Sequence, residues 1–237
     1  MTHPNPIHQA IGETDIYLID QIMKGRYQPK ESILDAGCGY GRNLHWFLQN
    51  DCIIYGVDQD ESAIGHLRSK LQRPLSKLTP PFGEPPPALG EPPPALSERF
   101  RAAGLDELPF NDKYFDHIIC SAVLHFAKDT AHFHRMVAEI VRVLKPNGSL
   151  FIRMTSDIGI EDKVHRLGMP EPPDPLAAQD PLTGGVYQIP DGSTRFLLTR
   201  SLLAETMQKN KLSFLEPFKT VNVNDLRCMS TLVLTRR

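Results

Sequence analysis

Ile33-Leu34-Asp35-Ala36-Gly37-Cys38-Gly39-Tyr40-Gly41-Arg42-Asn43 is the stretch that decides the fold. A short apolar run, Ser32 to Asp35, enters a turn with glycine at every second position. A helix is expected behind it, from Asn43 to Asn50, with Leu44, Phe47 and Leu48 turned inward. The glycines let the backbone turn tightly and approach a ligand without obstruction by a Cβ, and the start of the helix offers unpaired N–H groups. The spacing is G-x-G-x-G. Residue 42 is arginine, so the dinucleotide fingerprint G-x-G-x-x-G fails at its third glycine. Asp35, two residues ahead of the first glycine, would repel a pyrophosphate and attract a cationic group.

Working outward, Cys52 to Asp58 reads as a second strand ending in an acid, 23 residues beyond Asp35. An acid about 20 residues past such a turn typically bonds ribose hydroxyls. Together the two signals describe a cleft for a nucleoside without a diphosphate. Asp58-Gln59-Asp60 also has a plainer reading as the cap of the helix Glu61 to Leu71, and Asp60 suits that role better. Upstream, Thr14 to Lys24 is a first helix. Downstream, Arg99 to Ala103 is a weak third strand and Phe115 to Ser121 a fourth. Thr130 to Leu144 carries an apolar stripe from Phe133 to Leu144 and reads as an amphipathic helix. Pro146-Asn147-Gly148 ends it, and Ser149 to Met154 is strand five. Thr199 to Asn210 is the last helix. Ser213 to Val223 and Arg227 to Arg236 read as antiparallel strands joined at Asn224-Asp225. The alternation predicts an α/β, Rossmann-like, doubly wound sheet of seven strands. It is mostly parallel with an antiparallel last strand, and has helices on both faces. The turns after strands one to four then surround one cleft.

Composition narrows the function. The chain has 237 residues, 41% hydrophobic and 23% charged, ordinary values for a globular domain. A net charge of −2 argues against coating a nucleic acid. No apolar run approaches the roughly 20 residues that span a bilayer, and Met1 to Pro6 has no secretory character. Cys38, Cys52, Cys120 and Cys228 are far apart, which fits reduced thiols in a cytoplasmic protein better than zinc or disulfides. His132 and His134 lie two apart on a helix and make a poor metal pair, so no metal site is expected. The 21 prolines cluster. Gly83-Glu84-Pro85-Pro86-Pro87-Ala88-Leu89 is repeated at once as residues 90–96, inside a proline-rich insertion expected over 73–97. Two copies are too few for a solenoid. The repeat reads as an extended surface insertion, with residues 83–96 as a conceivable ligand for a partner's proline-binding groove. A second excursion, residues 156–195, reads as a lid or substrate-facing insertion, with plain disorder as the other reading.

These motifs taken together resemble a known family. D-A-G-C-G-Y-G-R-N, G-V-D-Q-D, L-P-F-N-D-K-Y-F-D-H-I-I-C, L-H-F-A-K-D and E-I-V-R-V-L-K-P-N-G-S-L-F-I are similar to class I S-adenosylmethionine-dependent methyltransferases, over residues 14–154. The G-R-N ending resembles the tellurite-resistance-type small-molecule methyltransferases. The resemblance implies one methyltransferase domain over 1–237 and S-adenosylmethionine as cofactor, with S-adenosylhomocysteine as product. It implies that Asp35 orients the methionine amino group, Gly37 and Gly39 line the methionine portion, and Arg42 helps hold its carboxylate. Asp58 would take both ribose hydroxyls and Gln59 would lie against the adenine, while Cys120 would contact the methionyl end through its backbone. Family members carry an acid four residues before the Leu of L-P-F, where this chain has Gly104. The Leu105 N–H would then meet the adenine ring, with Asp106 as a replacement acid.

His125, after strand four, lies on the correct edge of the sheet to serve as a base for a protonated nucleophile. Tyr17 in the leading helix, and His165 and Arg166 in the excursion, are candidates to meet the acceptor, Arg166 by gripping an anion. The expected function is methyl transfer to a small-molecule acceptor by in-line displacement. The competing reading is a catalytically silent protein of the same fold that acts through a partner. A nicotinamide enzyme is disfavoured by the missing third glycine.

Overall fold

The computed structural model describes residues 5–71, 95–166 and 185–237. Helices α1 (Pro6–Ile11) and α2 (Ile16–Met23) lead into β1 (Ser32–Ala36). Then come α3 (His45–Gln49), β2 (Ile53–Asp58), α4 (Glu61–Leu71), β3 (Phe100–Ala102), β4 (Phe115–Ser121), α5 (Thr130–Val143) and β5 (Leu144–Ser156). β6 (His165–Arg166), β7 (Gly185–Gln188) and β8 (Thr194–Leu197) precede α6 (Arg200–Lys209). The chain closes with β9 (Leu212–Phe214), β10 (Lys219–Val223) and β11 (Arg227–Arg236).

The main sheet runs β10-β11-β5-β4-β1-β2-β3, with β9 also paired to β11. β1 lies between β2 and β4 and is parallel to both. The strand order therefore reverses at β1, and the crevice opens at its carboxyl end. The two faces follow from the period of two along each strand. Ile33, Ile54, Ile119, Phe151 and Val233 pack with Leu18, Phe47 and Leu67 of α2, α3 and α4. Their neighbours Leu34, Ile118, Ile152 and Leu232 pack with Phe133, Val137 and Ile140 of α5 and Leu202 of α6. Both faces are thus covered, which is why Ile33-Leu34 in β1, Ile53-Ile54-Tyr55 in β2 and Ile118-Ile119-Cys120 in β4 run apolar without alternation. Each fully buried Leu, Ile or Phe contributes about 1.5–3 kcal/mol to holding these layers.

The doubly wound fold is as expected, but the sheet has eight strands rather than seven. Ser213–Val223 is not one strand. β9 pairs Leu212–Phe214 with one end of β11 and β10 pairs Lys219–Val223 with the other. The break holds Pro217, which has no N–H to give the ladder. The final hairpin pairs Val223 with Arg227 across Asn224, Asp225 and Leu226; Asn224 and Asp225 take left-handed φ of 51° and 58°, and the Leu226 N–H closes the turn on the Val223 carbonyl at 3.0 Å. α1 escapes the sequence reading because none of its residues is buried, so no apolar stripe marks it. α3 begins at His45, two residues later than expected. β5 is longer than Ser149–Met154 at both ends.

Within the 156–195 excursion, β6, β7 and β8 form a separate three-stranded antiparallel sheet. Tyr187, Ile189 and Leu197 make its small core, and Phe196 stacks on Phe133 of α5 at 5.0 Å between ring centroids. Residues 167–184 lie outside the described residues, as do 73–94 of the proline-rich insertion and with them nearly all of the repeat.

Candidate active site

The turn after β1 is fixed from both sides. The N–H groups of Gly37 and Cys38 both donate to the Val57 carbonyl, at 2.8 and 2.9 Å. Gly37 has φ +86°, and a Cβ there would stand 2.3 Å from the Val123 side chain, so only glycine fits. Gly39 donates its N–H to Asp58 Oδ2 at 2.8 Å, tying this turn to the end of β2. Asp58 Oδ1 accepts the Asp60 N–H at 3.0 Å. Asp60 itself caps α4, its Oδ1 accepting from Ser62 and Ala63. Asp58 is therefore not the helix cap. It stands between the two turns, each oxygen holding one N–H and keeping a further lone pair. Gln59 beside it is exposed.

Asp35 is 1% exposed, and neither of its oxygens has a hydrogen-bond partner. Burial pushes its carboxyl up to about 7. Arg42 and the nearby Asn43 amide, which falls short of hydrogen-bond geometry, act against that rise, and Asp58 adds to it. An unpaired buried carboxylate is costly. At the carboxyl end of the central strand, this one asks for a cationic donor.

A polar network closes the crevice on the other side of β1. Asp15, the N-cap of α2, has a side chain only 2% exposed. Its Oδ2 accepts from Ser121 Oγ at 2.7 Å and from Arg153 at 3.1 Å, and Arg42 lies 3.7 Å away. Arg42 also donates to Ser121 Oγ at 3.2 Å. The Arg153 guanidinium lies over the Tyr17 ring, 5.1 Å from its centroid. Tyr17, Arg42 and the end of β4 are thus brought together. Cys120 is completely buried beneath them. Burial raises the Cys38 and Cys120 thiols well above their usual range, and Cys52 up to about 12. These are not nucleophiles.

At the third strand, Leu105 is buried. A Cβ on Gly104 would stand 2.6 Å from Asp106 Oδ1. The Asp106 carboxylate therefore fills the space that a side chain at position 104 would enter. Its other oxygen is 3.5 Å from His132 Nε2.

Beyond β4 the structure holds a cavity of about 240 Å³, whose lining includes His125, Arg153, Thr155, Asp191, Arg195 and Arg227. His125 is 8% exposed, with its Nδ1 3.2 Å from Thr155 Oγ1. Burial, then Arg195 and Arg153, lower its pKa to about 4. This corrects the expectation of a histidine poised near neutral pH. The imidazole is uncharged at pH 7 and a weak base. For His165 and Arg166 the backbones pair with Gln188 and Tyr187 of β7, and their side chains lie outside the described residues.

Sequence reasoning missed Asp15, Ser121, Arg153, Thr155, Arg195 and Arg227. Of these only Arg153 carried a signal, a lone charge within Leu150-Phe151-Ile152-Arg153-Met154, which otherwise reads as a buried strand.

The methyltransferase-domain family profile matches residues 34–152. Among solved structures, a methyltransferase described as S-adenosylmethionine-dependent from Methanosarcina mazei superposes with a TM-score of 0.62 at 18% identity, covering 91% of this chain and 96% of its own. The 1,6-didemethyltoxoflavin-N1-methyltransferase of Burkholderia thailandensis, with bound 1,6-didemethyltoxoflavin and S-adenosylhomocysteine, superposes at 0.57 and 17% identity, covering 92% and 75%. A (4+2)-cyclase superposes at 0.60 and 17% identity, covering 98% and 89%. At these identities the structures speak for the fold alone, and the cyclase shows that the fold does not settle the chemistry. No curated protein matches the sequence. The matched segment spans the glycine turn, the Asp58 strand end and β4 to β5. The chain belongs to the methyltransferase-domain family, in its class I, S-adenosylmethionine-dependent form.

Proposed function

We propose that this protein transfers a methyl group from S-adenosylmethionine to a small-molecule acceptor by in-line displacement. The observation that carries the reading is Asp35, a buried carboxylate with two unpartnered oxygens at the carboxyl end of β1. An ammonium group is its natural complement, and the amino group of the cofactor's methionine supplies one. Asp58 offers a lone pair on each oxygen to the ribose diol, and the Gly39 N–H that it accepts fixes its orientation. Asp106, standing in the space above Gly104, accepts from the adenine amino group in place of the absent acid. Gln59 lies against the same ring. Arg42, already bonded to Ser121, faces the methionine carboxylate.

When bound, the cofactor would supply an electrophilic methyl group on a sulfonium, which departs as a neutral thioether on in-line transfer. The chain's own part is to orient and to exclude water. Tyr17 and the Asp15 network shut one side of the crevice. His125, neutral and buried, faces the acceptor as a hydrogen-bond partner for its nucleophilic atom. A small acceptor is supported by the size of the cavity beside His125. It is supported too by the similar B. thailandensis structure, whose bound 1,6-didemethyltoxoflavin is a small molecule.

The test is calorimetric titration of the wild type and Asp35→Asn with S-adenosylhomocysteine. The expected result is saturable binding by the wild type and a loss of about tenfold or more in the variant. Equal affinity would remove Asp35 from the site and the reading with it.

A further inference from the structure

The cavity beside His125 has an unusual charge. Three guanidiniums line it, Arg153, Arg195 and Arg227, against one carboxylate, Asp191. Arg153 is neutralised from behind by Asp15, yet its Nε is buried and has no hydrogen-bond partner. Arg227 lies 3.6 Å from Asp191, whose Oδ1 also accepts from the N–H and hydroxyl of Ser193. Among the described residues Arg195 has no carboxylate partner. It donates to the Thr194 carbonyl and lies 5.3 Å from the centroid of the exposed Phe126 ring. The arginines come from three separate elements, β5, β8 and the start of β11. They converge in a chain whose net charge is −2.

We propose that the methyl acceptor carries an oxyanion, a carboxylate or a phosphate, held in this cavity by Arg195 and Arg227. The inference rests on the methyl-transfer reading above and names the acceptor's class. The anion is a handle rather than the methylated atom, because an oxygen gripped by guanidinium is a poorer nucleophile than a free one. The nucleophilic atom is the end turned toward His125, away from Arg227. With about 30 Å³ per water, the cavity holds about eight water volumes, so the part of the acceptor enclosed there is compact. Arginine suits the task because its planar fork binds either oxyanion through two parallel N–H bonds.

The experiment uses the full chain saturated with S-adenosylhomocysteine, whose binding is measured first and separately by calorimetry. Ligand-observed NMR then compares benzoate and phenyl phosphate with their uncharged counterparts benzamide and benzyl alcohol. The expected result is saturable binding of at least one acid, about tenfold tighter than its neutral counterpart. Arg195→Gln should weaken it about tenfold, Arg227→Gln by less, and Arg195→Lys should restore part of it, with S-adenosylhomocysteine affinity unchanged throughout. Preference for benzoate or phenyl phosphate distinguishes a carboxylate from a phosphate acceptor. Equal binding of acids and neutral analogues, or acid binding that Arg195→Gln and Arg227→Gln leave intact, would overturn the proposal. Failure of S-adenosylhomocysteine to bind would instead strike the cofactor reading on which it rests.

Discussion

The two sides of the crevice are built on opposite principles. The side formed by β1 and β2 is acidic, local in sequence, and shaped by backbone. Asp35, Gly37, Gly39 and Asp58 lie within 24 residues and are held by Val57 and one another. The side beyond β4 is basic and assembled from distant positions. His125, Arg153, Arg195 and Arg227 span about a hundred residues and meet only because β5, β8 and β11 run together. The first side suits a ligand that never changes, the second one that does. A cofactor site must satisfy fixed chemistry, and a glycine turn with two carboxylates does so with few residues. An acceptor site can be rebuilt by replacing side chains on a scaffold already in place.

The comparison can be broken first at Asp58. Asp58→Ala would remove the bonds proposed to the ribose hydroxyls, worth about 1–3 kcal/mol together. Calorimetry should show roughly ten- to a hundredfold weaker S-adenosylhomocysteine binding, with benzoate binding retained. Unchanged cofactor affinity would mean that the acidic side does not hold the nucleoside.

A smaller effect tests the protonation of Asp35. Its carboxyl sits at about 7 in the free protein, and an ammonium beside it would lower that value. Below pH 7 the free protein must give up a proton to bind, so affinity falls as pH falls, approaching tenfold per unit. Above 7 it is flat. Titrations at pH 6, 7 and 8 read this directly, and Asp35→Asn should flatten the profile. A profile unchanged by that substitution would assign the proton to another group.

Asp106→Ala should weaken the cofactor by about two- to tenfold, the loss of one accepting group. The comparison sharpens if the loss vanishes for the analogue with hypoxanthine in place of adenine, which lacks the amino group. The smallest effect is at His125. Its NMR resonances should show no titration between pH 5 and 8 in the free protein, because Arg195 and Arg153 add to burial in holding the pKa near 4. An acid bound in the cavity offsets that field and raises the pKa. A His125 that titrates near 6.5 in the free protein would contradict the charge assigned to the basic side.

The same contrast explains what was legible in the sequence. Asp35, the glycines and Asp58 could be read because their spacing along the chain is their geometry in space. The strands were readable because burial on both faces leaves an apolar run, and α5 because six of its 14 residues are buried along one stripe. α1, with no buried residue, left no pattern. The split between β9 and β10 hung on Pro217, which alone does not say on which side the ladder resumes. Arg195 and Arg227 were invisible because each reads as a solvated charge until β11 pairs beside β5 and the end of β8 meets the end of β5. The position of His125 was legible, but its low pKa comes from burial in the fold and from arginines 28 and 70 residues away.

Thermal melting with S-adenosylmethionine, S-adenosylhomocysteine and NAD tests the central claim most directly. Near a hundred times the dissociation constant, binding adds about 2.7 kcal/mol, a rise of about 5–10 °C for a chain of this size. The account predicts that rise with both sulfur nucleosides and none with NAD. No rise with either nucleoside, or an equal one with NAD, would contradict it.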